Sequence, residues 1–217
     1  MHELVIYGSG GHAREIAQLV DDVNAARPTW SFLGFLDDDA ARHGMTLGGG
    51  RVLGGGDWLR SRSSVAVTVA IGNSVHRRRV VSALHGARFA TLIHPRASIG
   101  ARVSIGTGSM VCAGAVITCD VQLGSHVIVN VGSTVSHDCV LDDFVTLAPR
   151  VSLAGGTRVG TGSDMGIGST TIQSVTVGEW SIIGAGASLT THVPANVTTV
   201  GVPSRVIKVR DPGWHDL

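Results

Sequence analysis

From Ile99 to Leu189 every sixth residue is an aliphatic plug: Ile99, Ile105, Val111, Ile117, Leu123, Val129, Val135, Leu141, Leu147, Leu153, Val159, Met165, Thr171, Val177, Ile183 and Leu189, with Thr171 the one polar member. A six-residue period matches neither the 3.6-residue turn of a helix nor the two-residue alternation of an ordinary strand. It suits a coil of short parallel strands, in which each coil stacks its aliphatics on the coil before because no single repeat can bury its apolar face alone. Closing a turn with three hexads gives about five coils. The residue after each plug is usually small, as in Gly100, Gly106, Cys112, Gly124, Ser136, Ala148, Ala154, Gly160, Gly166, Gly178 and Gly184, which we read as room for a tight corner. A flexible glycine-rich segment would not hold its aliphatics in phase over this length.

The preceding stretch has a different grammar, alternating strand and helix. Leu4 to Tyr7 reads as a strand, Gly8 to His12 as a glycine turn, and Ala13 to Val20 as a helix with Ile16, Leu19 and Val20 on one face. Phe32 to Leu36 forms a second strand ending in Asp37, Asp38 and Asp39, and Val65 to Ile71 a third that closes on Gly72 and Asn73. A helix over Val75 to Leu84 and a strand over Phe89 to Ile93 complete a small open parallel sheet of Rossmann-like βαβ type. Gly44 to Gly56, dense in glycine, is expected to be a surface excursion. The hexads begin after His94-Pro95, so the division falls into residues 1–94 and 95–217. From Trp214 onward the tail is expected to be loose, and Ser204 to Arg210 to pack over the last coil.

Bulk properties exclude several classes. Lys and Arg number 17 against 16 Asp and Glu, a net charge of +1, so nothing points to nucleic acid or to an anionic membrane. No run approaches the ~18 apolar residues of a membrane span, and the Met1 to Tyr7 start leads into a strand, which together suggest a cytoplasmic protein. Cys112, Cys119 and Cys139 lie within the repeat without a CxxC spacing and read as small core fillers.

Open parallel sheets bind ligands outside the carboxyl ends of their strands, and here those ends carry Gly10, Gly11 and His12, then Asp37 and Asp38, then Gly72 and Asn73. The glycine turn lets backbone N–H groups and a helix start face an anion such as a pyrophosphate, although the full GxGxxG of the dinucleotide oxidoreductases is missing. Asp37 and Asp38 can accept from a ribose or a base edge, or simply face solvent. Arg77, Arg78 and Arg79 offer phosphate charge or a solvated helical face. In the hexads, His137 follows the plug Val135 by two residues, which puts an imidazole near a corner and facing outward, with Asp138 beside it to orient it as a general base. A lone surface histidine is the plainer alternative. His126, His137 and His192 lack the close histidine pair of a zinc hydratase built on such coils, so no metal is expected.

The segments YGSGGHA (Tyr7 to Ala13), FLDDD (Phe35 to Asp39), AIGN (Ala70 to Asn73), LIHP (Leu92 to Pro95), VNVGSTVSHD (Val129 to Asp138) and VGVP (Val200 to Pro203) together resemble the sialic-acid O-acetyltransferase and nucleotide-aminosugar N-acetyltransferase family, over essentially the whole chain. That resemblance implies a left-handed parallel β-helix behind the Rossmann-like domain, a homotrimer with active sites between subunits, and acetyl-CoA as co-substrate. It implies His137 as general base with Asp138 its companion, and a nucleotide-linked amino sugar held by Gly10, Gly11, His12, Asp37, Asp38, Gly72 and Asn73. It places Gly155, Ile167 and Ala185 along the acetyl-CoA groove, and Thr146 where the family commonly has a histidine touching acetyl-CoA. We expect N-acetylation, of a 4-amino-4,6-dideoxy sugar; O-acetylation of a sialic-acid-like sugar and a non-catalytic nucleotide-sugar-binding trimer are the alternatives.

Overall fold

The computed structural model describes residues 1–216. The chain divides into two compact units, Met1–Gly72 with His76–Pro95, and Asn73–Val75 with the chain from Arg96 onward.

In the first unit β1 (His2–Tyr7), α1 (Gly11–Ala26), β2 (Trp30–Leu36), β3 (Thr46–Leu47), β4 (Gly50–Gly54), β5 (Ala66–Val69), α2 (Ser74–Ala83) and β6 (Arg88–Phe89) build a sheet of order β3-β4-β2-β1-β5-β6. All its pairings are parallel except the β3–β4 hairpin. The central β1 is apolar from Leu4 to Tyr7 because both its faces are covered, the pattern of a buried parallel strand. One expectation is corrected in part: Gly44 to Gly49 is mostly exposed, but the glycine-rich stretch does not stay a surface excursion to its end. Its residues Gly50–Gly54 join the sheet as β4, and a Cβ on Gly50 would meet the Phe32 ring at 2.8 Å. Glycine is there so that the strand can lie against an aromatic side chain.

The second unit is a left-handed parallel β-helix, with two-residue strands that pair with the strand 18 positions on, as in Met110↔Ile128, Gln122↔Val140 and Thr134↔Ser152. Three hexads therefore make one coil. The plugs fill a single continuous core from Val111 to Leu189. Ile99 remains 37 % exposed, since its coil has a hexad ladder on one side alone. The corner itself lies three residues after a plug, where Arg102, Asp120, His126, Asp138, Phe144, Arg150, Ser174 and Trp180 all take φ between 52° and 61°. The small residue directly after the plug has another cause: a Cβ on Gly106 would lie 2.4 Å from the Gly124 backbone of the next coil. Close stacking between coils selects it, rather than the turn.

After the coils, Val197–Val200 pairs antiparallel with an exposed strand, Arg205–Val209. The end of the described chain is anchored rather than loose: the His215 ring stacks on Trp180 at 3.9 Å, and the Arg210 guanidinium lies 4.6 Å from the Trp214 ring centre. Among the described residues no helix is long and apolar enough to cross a membrane.

Candidate active site

In the first unit the candidate residues gather at the carboxyl ends of β1 and β2. Gly10 is the N-cap of α1 in an extended conformation, with no side-chain cap and no acidic residue in the first turn. The leading N–H groups of α1 thus keep their capacity for an outside acceptor, together with the positive end of the helix dipole. Cβ atoms built on Gly10 and Gly11 would meet nothing within 4 Å, so the space over this turn is open. Arg42 reaches the same turn, donating to the Ser9 hydroxyl at 3.0 Å. The sequence offered no sign of this guanidinium, which comes from a 3₁₀ turn capped by Asp39. His12 sits inside the first helical turn with Nδ1 3.2 Å from Glu15, and burial lowers its pKa.

Both aspartates are anchored by their neighbours. The Ser9 hydroxyl and the Asp39 N–H donate to the two oxygens of Asp37. Asp38 accepts from the Tyr7 phenol at 2.5 Å, and burial with this contact raises the Tyr7 pKa, keeping it a donor. Each carboxylate keeps lone pairs for a ligand, because an ionised carboxyl has about four acceptor sites. From Asp38 a cleft of about 770 Å³ opens between Tyr7, Gly56, Arg60, Arg62 and Arg88. Gly72 accepts from the fully buried Arg77, which donates to the Ile71 and Gly72 carbonyls at 2.7 and 2.9 Å. The expected phosphate-facing or solvated role is therefore corrected for Arg77: its donors brace the end of β5. Asn73 groups with the second unit.

In the second unit His137 and Asp138 occupy a corner, with side chains 63 % and 68 % exposed. Asp138 Oδ2 lies 2.8 Å from His137 Nδ1. A carboxylate can only accept here, so Nδ1 is the donor, and in the neutral ring the lone pair lies on Nε2. That nitrogen lies over the next coil at Gly155, where a built Cβ would stand 2.6 Å from Nε2 and 2.5 Å from Cε1. Glycine at 155 is what lets the imidazole rest on the coil. We expect Gly155→Ala to displace the ring, leave the melting temperature within a degree or two and, with the imidazole in the general-base role expected from the sequence, lower kcat by about 10²-fold, the loss a ~1 Å misplacement of such a group brings. Steady-state kinetics with thermal denaturation check this; wild-type kcat in the variant would show that the ring's seat on Gly155 is unimportant.

One coil above, the same corner holds Cys119 and Asp120. Arg102 grips Asp120 in a two-pronged ion pair at 2.5 and 2.8 Å, which holds the carboxyl below its usual range. Asp120 in turn raises the Cys119 pKa, so this half-exposed thiol is a poor nucleophile. Cys139 is buried, and burial raises its pKa as well. Ile167 and Ala185 lie one above the other on a different corner, linked by the Gly186 N–H to Ile167 carbonyl bond. Thr146 is on a flat face between Ile128 and Asp164. His137, Asp138 and Gly155 are brought together; Thr146, Ile167 and Ala185 stand apart from them on this chain. Among the described residues no three His, Cys, Asp or Glu side chains gather where they can hold a metal ion, and the His126 ring stacks on Phe144 at 5.1 Å.

Comparison with known proteins matches residues 3–84 to the PglD N-terminal domain. A GDP-perosamine N-acetyltransferase of Escherichia coli is 30 % identical over 94 % of the chain and 95 % of its own length. The acetyltransferase domain of PglB from Neisseria gonorrhoeae, solved with acetyl coenzyme A, superposes with a TM-score of 0.84 at 34 % identity, covering 95 % of this chain and 99 % of that one. PerB from Caulobacter crescentus, solved with CoA and GDP-perosamine, gives a TM-score of 0.83 at 31 % identity, over 96 % of this chain and 98 % of that one.

Proposed function

Because this chain belongs to the acetyl-CoA-dependent N-acetyltransferases of nucleotide-linked amino sugars, we propose that it acetylates a sugar amine by direct transfer, with His137 as the general base and a 4-amino-4,6-dideoxy sugar as acceptor. The observation that carries this reading is the imidazole at the corner, oriented through Nδ1 by Asp138 with Nε2 turned to the next coil at Gly155. The amine attacks the thioester carbonyl, a C–N bond forms and the C–S bond breaks. Nε2 takes the proton from the amine and returns it to the departing CoA thiolate, which leaves the N-acetyl sugar and free CoA. Developing negative charge on the carbonyl oxygen is met by the Gly155 N–H. Asp120 raises the pKa of the Cys119 thiol, which disfavours a route through an acyl-enzyme intermediate.

The acceptor's nucleotide is assigned to the first unit. Its pyrophosphate sits at the open start of α1, beside Gly10, Gly11, His12 and Arg42, where helix dipole and guanidinium both favour an anion. Asp37 and Asp38 accept from ribose or base with their remaining lone pairs, while Gly72 borders the same strand ends. Acetyl-CoA is assigned to Gly155, Ile167 and Ala185, with Thr146 offering a hydroxyl. The reading includes a homotrimer in the cytoplasm, where a second copy can bring the separated corners of the solenoid together.

The test measures CoA thiol release by the full chain with acetyl-CoA and UDP-, dTDP- and GDP-linked 4-amino-4,6-dideoxy sugars. Release with at least one of them, and an N-acetyl product by mass spectrometry, is expected. Release with none, or a product acetylated on oxygen, overturns the proposal.

A further inference from the structure

The one polar plug, Thr171, has a partner network that none of the other plugs needs. In neighbouring coils of its face the N–H after each plug bonds to the plug carbonyl of the next coil: Ser136 to Leu153 and Ile172 to Leu189, both at 3.0 Å. At the intervening coil the Ala154 N–H goes instead to the hydroxyl of Thr171, at 3.0 Å. Strand pairing there is reduced to Ser152↔Thr170. The Thr171 hydroxyl lies 2.9 Å from that of Thr157, and the Thr157 hydroxyl donates to the Ala154 carbonyl at 2.7 Å.

Both threonines are buried, Thr157 fully and Thr171 to 8 % exposure, so each hydroxyl must be satisfied from within. Because Thr157 spends its proton on the Ala154 carbonyl, Thr171 must donate to Thr157. The bonds then close a ring: Ala154 N–H to Thr171 Oγ1, Thr171 O–H to Thr157 Oγ1, Thr157 O–H to Ala154 C=O. The buried thiol of Cys139 adds a further donor to the same carbonyl at 3.3 Å.

The Ala154 carbonyl and the Gly155 N–H belong to one planar trans peptide, so fixing the first inward fixes the second pointing the opposite way. We propose that Thr171 and Thr157 are positioning residues for acetyl transfer: their hydroxyl ring replaces one rung of the ladder in order to aim the Gly155 N–H out of the coil, beside the imidazole of His137. This rests on the reading of His137 and Gly155 given above. A purely structural plug would be aliphatic, as it is in the coils before and after, at Leu153 and Leu189.

The test uses two variants that separate activity from stability. In Thr171→Val the plug becomes aliphatic and the Ala154 N–H can return to the carbonyl of residue 171. Its melting temperature is expected to equal or exceed that of the wild type, while kcat falls about tenfold or more with KM for the amino sugar unchanged, the mark of a misaimed oxyanion donor. Thr171→Ser keeps the hydroxyl and loses the methyl, so it is expected to melt lower while retaining kcat within about twofold. A crystal structure of Thr171→Val should show the Ala154–Gly155 peptide rotated, and this readout stands whether or not any amino sugar is acetylated. An unrotated peptide overturns the inference. So does wild-type kcat in Thr171→Val while His137→Ala is dead, and so does loss of activity in both Thr171 variants in proportion to stability. If the wild type releases no CoA with any acceptor, the functional reading fails and the peptide orientation alone decides this one.

Discussion

In His137→Ala, kcat is expected to fall by about 10²- to 10⁴-fold, the range a positioned general base supplies, while thermal stability stays at the wild-type level. The two halves of that result have separate causes. The side chain is 63 % exposed and pairs with the similarly exposed Asp138, so its removal leaves no cavity and no orphaned buried group. Exposed ion pairs of this sort contribute little to stability. The chemistry is less forgiving, because an amine attacking a thioester must shed a proton and the neighbouring groups of the corner are poor substitutes: the Arg102 ion pair makes the Asp120 carboxylate a weaker base, Asp138 is a carboxylate committed to His137, and Asp120 raises the pKa of the Cys119 thiol. Binding of acetyl-CoA, measured by calorimetry, should survive. Turnover close to that of the wild type would remove His137 from the role; loss of both turnover and folding would mean that the corner is structural.

Much of this arrangement is legible in the sequence because it is set by periods. A plug every sixth residue specifies the coil, and once three hexads close a turn the outward position of His137 two residues past Val135 follows. What the period cannot carry is contact between residues of unlike register. Arg42 reaches the glycine turn only because the Asp39-capped 3₁₀ turn folds it back. Arg77 opens a run of three arginines that reads as solvated or phosphate-facing, yet its guanidinium is fully buried and satisfied by two carbonyls at the end of β5. Composition misled at Gly50–Gly54, where glycines mark a strand pressed against Phe32 rather than a loop. Thr171 is visible as the exception in its ladder, but its ring with Thr157 depends on which coil stacks on which. In the tail, Trp214 and His215 carry no periodic signal, and stacking on Trp180 is a tertiary event that no local pattern announces.

The same stacking logic predicts how stability is distributed along the solenoid. Leu147 is fully buried, and its strand pairs with the strands at Ile128–Val129 and Asp164–Met165, so its side chain is covered from both neighbouring coils. Rigid backbone ladders on both sides restrict collapse around a deleted side chain, which is the condition under which large-to-small substitutions are most damaging. Leu147→Ala is expected to destabilise the solenoid by about 2 to 5 kcal/mol. Ile99 has the same chemistry at the same hexad position, yet it is 37 % exposed and its strand ends the sheet, laddered on one side at Val116–Ile117. Ile99→Ala should therefore cost about 1 kcal/mol, as at a partly solvated site where the neighbours can relax. Denaturant unfolding followed by far-ultraviolet circular dichroism compares the two midpoints at equal slope. In a stack where each coil leans only on its neighbours, the interior plug must matter more than the terminal one; equal losses at both positions would mean that the ladder does not bear the stability assigned to it.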